Sequence, residues 1–146
     1  TILRYPTAYG PRNREVDAIS IFVKKAFKNL TLIIHGNGQQ KRNYLHAEDI
    51  AEGSMVGMKS KLNNKTITLA SNSNIKITHL AKKIIKLTKS KSKIKYDRKR
   101  KRIDDFTSSF KSSNKIYNFI GWKPKFSLSR GLSDYILNKK FKKNYE

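Results

Sequence analysis

Arginines set just past strand-ending turns are the residues of this sequence best suited to chemistry. Arg12 follows Tyr9-Gly10-Pro11 at the end of a strand-like run from Thr1 to Ala8. Arg42 follows the turn Gly36-Asn37-Gly38, which ends the β-branched run from Thr31 to His35, and leads into a second short run from Asn43 to His46. In α/β proteins the carboxyl ends of strands leave a crevice where ligands bind. A guanidinium fork there can take two oxygens of a phosphate together. An extended backbone beside a glycine turn can hydrogen-bond a flat base. Taken alone, the two segments also fit an ordinary strand–turn and a glycine hairpin with solvated arginines.

Other signals point away from an independent catalytic centre. Tyr135 and Lys139 have Tyr-x-x-x-Lys spacing, but Tyr135 falls on the apolar face of a terminal helix and the spacing reads as chance. His35, His46 and His79 lack metal-ligand spacing, and the chain has no cysteine, which excludes disulfide frameworks and thiolate sites. Gly53 and Gly57 have the spacing of a membrane dimer motif without an apolar span around them. No apolar run approaches the roughly 18 residues a spanning helix needs, and no signal-peptide pattern opens the chain. The expectation is a cytoplasmic protein with no membrane partner and no metal.

The formal charge of +23 over 146 residues concentrates between Lys82 and Arg102, where Asp97 is the only acid. Such a run suits a polyanion, yet no RNA-binding signature accompanies it. It is read as a solvated face with no specific nucleic-acid partner; a basic nucleic-acid-binding module is the rival.

The elements that must position the arginines alternate between strand and helix, an α/β pattern without linker or repeat, so residues 1–146 form one domain. Val16, Ile19, Phe22, Val23, Ala26, Phe27 and Leu30 recur at helical spacing, with Glu15 and Asp17 placed for the first turn. A helix from Ala47 or Glu48 carries Ile50, Met55, Val56 and Met58. Thr66 to Leu69 is strand-like. Thr78 would cap a helix burying Leu80, Ala81, Ile84, Ile85 and Leu87. A strand over Lys93 to Tyr96, a helix from Ser112 or Ser113 stopped by Gly121, and a last helix capped by Ser127 complete the pattern.

Three segments in order carry a resemblance. They are Leu3-Arg4-Tyr5-Pro6-Thr7-Ala8-Tyr9-Gly10-Pro11-Arg12, then His35-Gly36-Asn37-Gly38 through Arg42 to Glu48-Asp49, and Arg102-Ile103-Asp104-Asp105 before Gly121-Trp122-Lys123-Pro124. Together they resemble the C-terminal half of the extended short-chain dehydrogenase/reductases, the NAD-dependent epimerases, dehydratases and decarboxylases of nucleotide sugars. The resemblance implies the C-terminal part of a Rossmann-like parallel sheet with a small substrate-binding subdomain, and a family that works as a homodimer. It implies NAD as cofactor, held mainly by an N-terminal half not represented here, which also carries the catalytic tyrosine and lysine. By the same resemblance, Ala8 and Arg12 lie towards the cofactor. Thr7 would touch the sugar, Leu32, Ile33 and Ile34 the nucleotide, Arg42 and Arg102 the diphosphate, and Asp105 a ribose hydroxyl or neighbouring base. Asp49 is assigned a structural role. A non-catalytic relative that keeps only the fold is a second rival.

Overall fold

Pro6 has no N–H to give to a sheet, and it divides the first strand-like run. In the computed structural model, which describes residues 1–59, 64–99 and 114–142, that run is two strands, β1 (Ile2–Arg4) and β2 (Thr7–Tyr9). They enter different sheets. β1 pairs in parallel with β5 (Thr66–Thr68), Leu3 opposite Ile67. β2 pairs in parallel with β4 (Lys41–His46), Thr7 opposite Tyr44 and Tyr9 opposite His46. The other edge of β4 takes β6 (Asn74–Lys76), antiparallel, with Arg42 opposite Ile75. β3 (Leu32–His35) and β7 (Ile94–Asp97) form a third, parallel pair. β6 was not expected from the sequence; its three residues are all half-buried, so they show no alternation.

Among the described residues five helices cover these strands, and several depart from the sequence reading for local reasons. α1 (Ala18–Phe27) begins after Asp17, which is extended at the N-cap and makes no side-chain capping bond, so neither expected acid lies in the first turn. Val16 and Leu30 fall outside the helix and are exposed. In α2 (Ala47–Lys59) the buried face is Asp49, Gly53 and Gly57, while Met55 and Met58 face solvent. Close approach decides this: a Cβ on Gly53 would sit 2.9 Å from the Trp122 ring, and one on Gly57 3.1 Å from Leu3. α3 (Ile77–Thr88) starts two residues earlier than expected, with Lys76 at its N-cap. Thr78 is therefore not the cap; its hydroxyl donates to the Gly38 carbonyl at 3.0 Å. α4 (Asn114–Ile120) stops at Gly121, whose φ of +67° is left-handed. α5 (Leu128–Lys142) follows, with the Arg130 N–H reaching the Ser127 hydroxyl.

Two apolar clusters hold the layers together. Ile19 and Val23 of α1, Leu80 and Ile84 of α3, and Leu132 and Tyr135 of α5 close over Leu32 and Ile34. Leu45, Ile67, Leu69, Tyr117, Ile120 and Trp122 form the second. Each fully buried side chain of this size contributes about 1.5–3 kcal/mol. Among the described residues no helix is long and apolar enough to cross a membrane.

The structural role expected for Asp49 has a definite form. Its buried carboxylate accepts the Lys125 N–H at 2.8 Å and the Phe126 N–H at 3.1 Å, fastening the link between α4 and α5 to α2. Replacing Asp49 by alanine removes the acceptor from both groups and is expected to cost about 1.5–3 kcal/mol for each charge-assisted bond not replaced by water. The check is a urea titration, in which the midpoint falls; an unchanged midpoint would show that this anchor carries no stability.

Candidate functional site

β2 and β4 run parallel, so Arg42 near the start of β4 lies level with Tyr5, just before β2, and the turn after β2 folds back to bring Arg12 to Arg14 to the same space. The turn is tightened by the Asn13 N–H bonding the Gly10 carbonyl at 2.9 Å. Between them lies a cavity of about 700 Å³, lined by Tyr5 to Ala8, Arg12 to Arg14, Asp17 and Arg42. That volume is in the range of small-molecule sites, about 300–1,000 Å³. Three guanidinium groups face one carboxylate there, and Arg14 stands 3.9 Å from that carboxylate, on Asp17. The remaining excess of positive charge suits an anion, and guanidinium groups suit one with paired oxygens. Thr7 is exposed at the wall and can both donate and accept a hydrogen bond.

The residues behind the cavity are firmly held. Asn43, 1% exposed, sits next to Arg42 on β4. Its amide nitrogen donates to the Ser71 and Ser73 carbonyls and to Asn74 Oδ1, and its oxygen accepts the Ser71 N–H and hydroxyl. That network fixes the start of β4 against the turn before β6. Tyr44 and Tyr9 meet edge to face with centroids 6.2 Å apart. Burial pushes the Tyr44 hydroxyl up to about 12, with Arg42 pulling it down and Asp17 pushing it up. Tyr9 is also raised, by burial first and then by the carboxylates of Asp49 and Asp134.

The structure brings Thr7, Ala8, Arg12 and Arg42 to one cavity, although Arg42 is 30 positions beyond Arg12. It places Leu32, Ile33 and Ile34 elsewhere, on β3. Leu32 and Ile34 point into the core, and Ile33 is 41% exposed. Any contact with a ligand from this strand therefore comes from Ile33 or from the backbone. β7 is the strand partner of β3 among the described residues, which leaves the second edge of β3 unpaired by a strand. Arg102 and Asp105 lie outside the described residues. Tyr5, Asn13, Arg14 and Asp17 were not anticipated; their presence follows from the path of the turn in space, which residue type does not reveal. Tyr135 is fully buried, with its hydroxyl 2.9 Å from Ser20, and so serves packing. No cluster of three metal-ligating side chains occurs among the described residues.

Comparison with known proteins gives this geometry its context. The profile of the GDP-mannose 4,6 dehydratase family matches residues 1–135. The UDP-N-acetyl-α-D-glucosaminuronate decarboxylase of Bacillus cytotoxicus is 33% identical over 97 residues, which are 64% of this chain and 30% of that protein. The UDP-glucose 4-epimerase of Thermotoga maritima, solved with UDP-glucose, superposes with a TM-score of 0.86 at 25% identity, over 99% of this chain and 46% of that one. The UDP-glucuronic acid 4-epimerase of Bacillus cereus, solved with UDP-glucuronic acid and NAD, shares the fold with a TM-score of 0.81 at 24% identity, over 96% and 45% of the two chains. The chain thus spans less than half the length of each of these three proteins.

The two raised tyrosines give a pH signature. The fold holds the neutral hydroxyl, so the stability this confers is complete below the ordinary value of 10.0 and is lost as pH rises towards about 12. Spectrophotometric titration should show a late group, Tyr9 and Tyr44, ionising only as near-ultraviolet dichroism collapses. Tyr44→Phe should shrink that late group. Simultaneous titration of all tyrosines in a folded chain would contradict the burial described here.

Proposed function

The chain belongs to the GDP-mannose 4,6 dehydratase family, the NAD-dependent nucleotide-sugar epimerases and dehydratases, and on that premise we propose that it is their substrate-binding part. The observation that carries the proposal is the convergence of Thr7, Ala8, Arg12 and Arg42 on one cavity with an excess of guanidinium groups. Arg42 grips the nucleotide diphosphate as a bidentate fork, and Arg102 joins it from the segment after β7. Thr7 hydrogen-bonds the sugar. The edge of β3 away from β7 offers backbone groups to the base, with Ile33 covering it, and Asp105 takes a ribose hydroxyl.

In this reading residues 1–146 are the C-terminal portion of the family's domain. The glycine-rich NAD loop and the catalytic Tyr-x-x-x-Lys belong to the length of the relatives that this chain does not span. Ala8 and Arg12 fit one edge of a cofactor site: both lie exposed on the cavity wall, and the small side chain of Ala8 leaves room for a flat ring. NAD, when bound, supplies the hydride acceptor. The residues of this chain bind and orient the sugar nucleotide and exclude water from its diphosphate. The working enzyme is a cytoplasmic homodimer, and its substrate is a nucleotide sugar.

Two measurements test this. In the full-length enzyme, Arg42→Ala or Arg102→Ala should weaken nucleotide-sugar binding by about 1.5–3 kcal/mol, the range for a hydrogen bond to a charged group, with NAD binding little changed. Unaltered sugar-nucleotide affinity by calorimetry in both variants would overturn the diphosphate assignment. The chain of 146 residues alone should turn over no nucleotide sugar; detectable turnover would overturn the division of labour.

A further inference from the structure

Lysines from three separate segments gather at the end of the molecule away from the cavity. The C-terminal ends of α1 and α3 are fastened together there: Asn29 Oδ1 accepts the Lys91 N–H at 2.8 Å and the Ser90 hydroxyl at 3.1 Å. The approach to β7 joins them through the Leu32 N–H, which bonds the Lys93 carbonyl at 2.9 Å. Lys28, Lys86, Lys89, Lys91 and Lys93 are all exposed at this junction, and Lys25 is half-buried beside them. None of the six forms an ion pair with a described residue. The sequence supplies no acid from Ala18 to Ala47 or from Gly53 to Tyr96.

The helix dipoles account for part of this pattern, since cations are favoured in a helix's last turn. They account for Lys25 and Lys86. They do not account for Lys91 and Lys93, which lie beyond α3. Like charges gathered on one face repel one another, the more so at low salt, where screening is weak. A polyanion relieves that repulsion and releases its own counterions.

We propose that this junction is a docking face for the phosphodiester backbone of a nucleic-acid duplex, bound without regard to base sequence. The side chains select this partner. Leu30 is the exposed large apolar side chain of these segments. Among the described residues of these segments there is no aromatic platform for stacking unpaired bases and no apolar stripe for insertion into a bilayer. Ammonium groups on flexible stems match phosphates, which position a protein on a duplex without reading it. The face is separate from the arginine cavity. Asp17 lines the cavity and precedes α1, whose ten residues span about 15 Å before the basic end begins.

The test is fluorescence anisotropy of the chain with a labelled mixed-sequence DNA duplex at several salt concentrations. The triple variant Lys28→Gln, Lys89→Gln, Lys91→Gln is compared with the equally charged Lys59→Gln, Lys65→Gln, Lys123→Gln. Loss of three phosphate contacts should flatten the plot of log affinity against log salt by about 2–3. At low salt the first triple should bind at least ~10-fold more weakly, while the second stays within about twofold. Equal weakening of both triples would show a response to net charge and overturn the face. So would absence of duplex binding by the parent chain at low salt. Displacement of the duplex by excess UDP would assign it to the arginine cavity instead. Binding to phosphatidylserine vesicles but not to duplex would replace the nucleic acid with a bilayer.

Discussion

Parallel pairing of β2 with β4 aligns Thr7 with Tyr44 and Tyr9 with His46, and the candidate site is built on that register. Thr7 and Ala8 then share a wall with Arg42, which lies two residues before Tyr44. A slip of one residue would turn every side chain of β4 to the opposite face. Arg42 would exchange places with the buried Asn43, and Tyr44 would leave the first apolar cluster for the face that buries Leu45 in the second. The register is held from both ends. Tyr9 packs edge-on against both Tyr44 and His46, and Asn43 is pinned to the turn before β6 by its amide.

Polar groups with long-range partners do the fastening that an apolar core alone cannot specify. Asp49 closes the link to α5, and Asn43 closes the turn before β6. Thr78 ties the start of α3 to the glycine turn after β3. At the basic end of α1 and α3, Asn29 plays the same part through Lys91 and Ser90, among exposed lysines without an acid partner among the described residues. The cavity thus gathers arginines around one carboxylate, while the end of α1 and α3 gathers lysines with no described acid partner.

What was legible in the sequence depended on whether a pattern was local. α3 was readable because Leu80, Ala81 and Ile84 repeat at helical spacing and are among its buried residues. α2 was readable as a helix but not in its orientation. Hydrophobicity favours burying Met55 and Met58, whereas the packing of Trp122 and Leu3 needs the backbone close and so selects Gly53 and Gly57. Pro6 was visible, yet its consequence, two strands in two sheets, depends on β4 and β5 far along the chain. The arginines were legible from their turns. That Arg14 and Asp17 join them was not, because this follows from the path of the turn. Asp49 was assigned correctly as an anchor, while its partners, more than 70 positions away, left no local signal.

The central claim, that this chain itself carries the recess for a nucleotide diphosphate, is tested most directly by nuclear magnetic resonance of the isotope-labelled chain during titration with UDP. The account predicts saturable shift changes confined to the amides of Tyr5 to Asp17, the residues around Arg42 and β3. Changes centred on Lys28, Lys89 and Lys91, or none in the turn after β2 at saturating UDP, would contradict it.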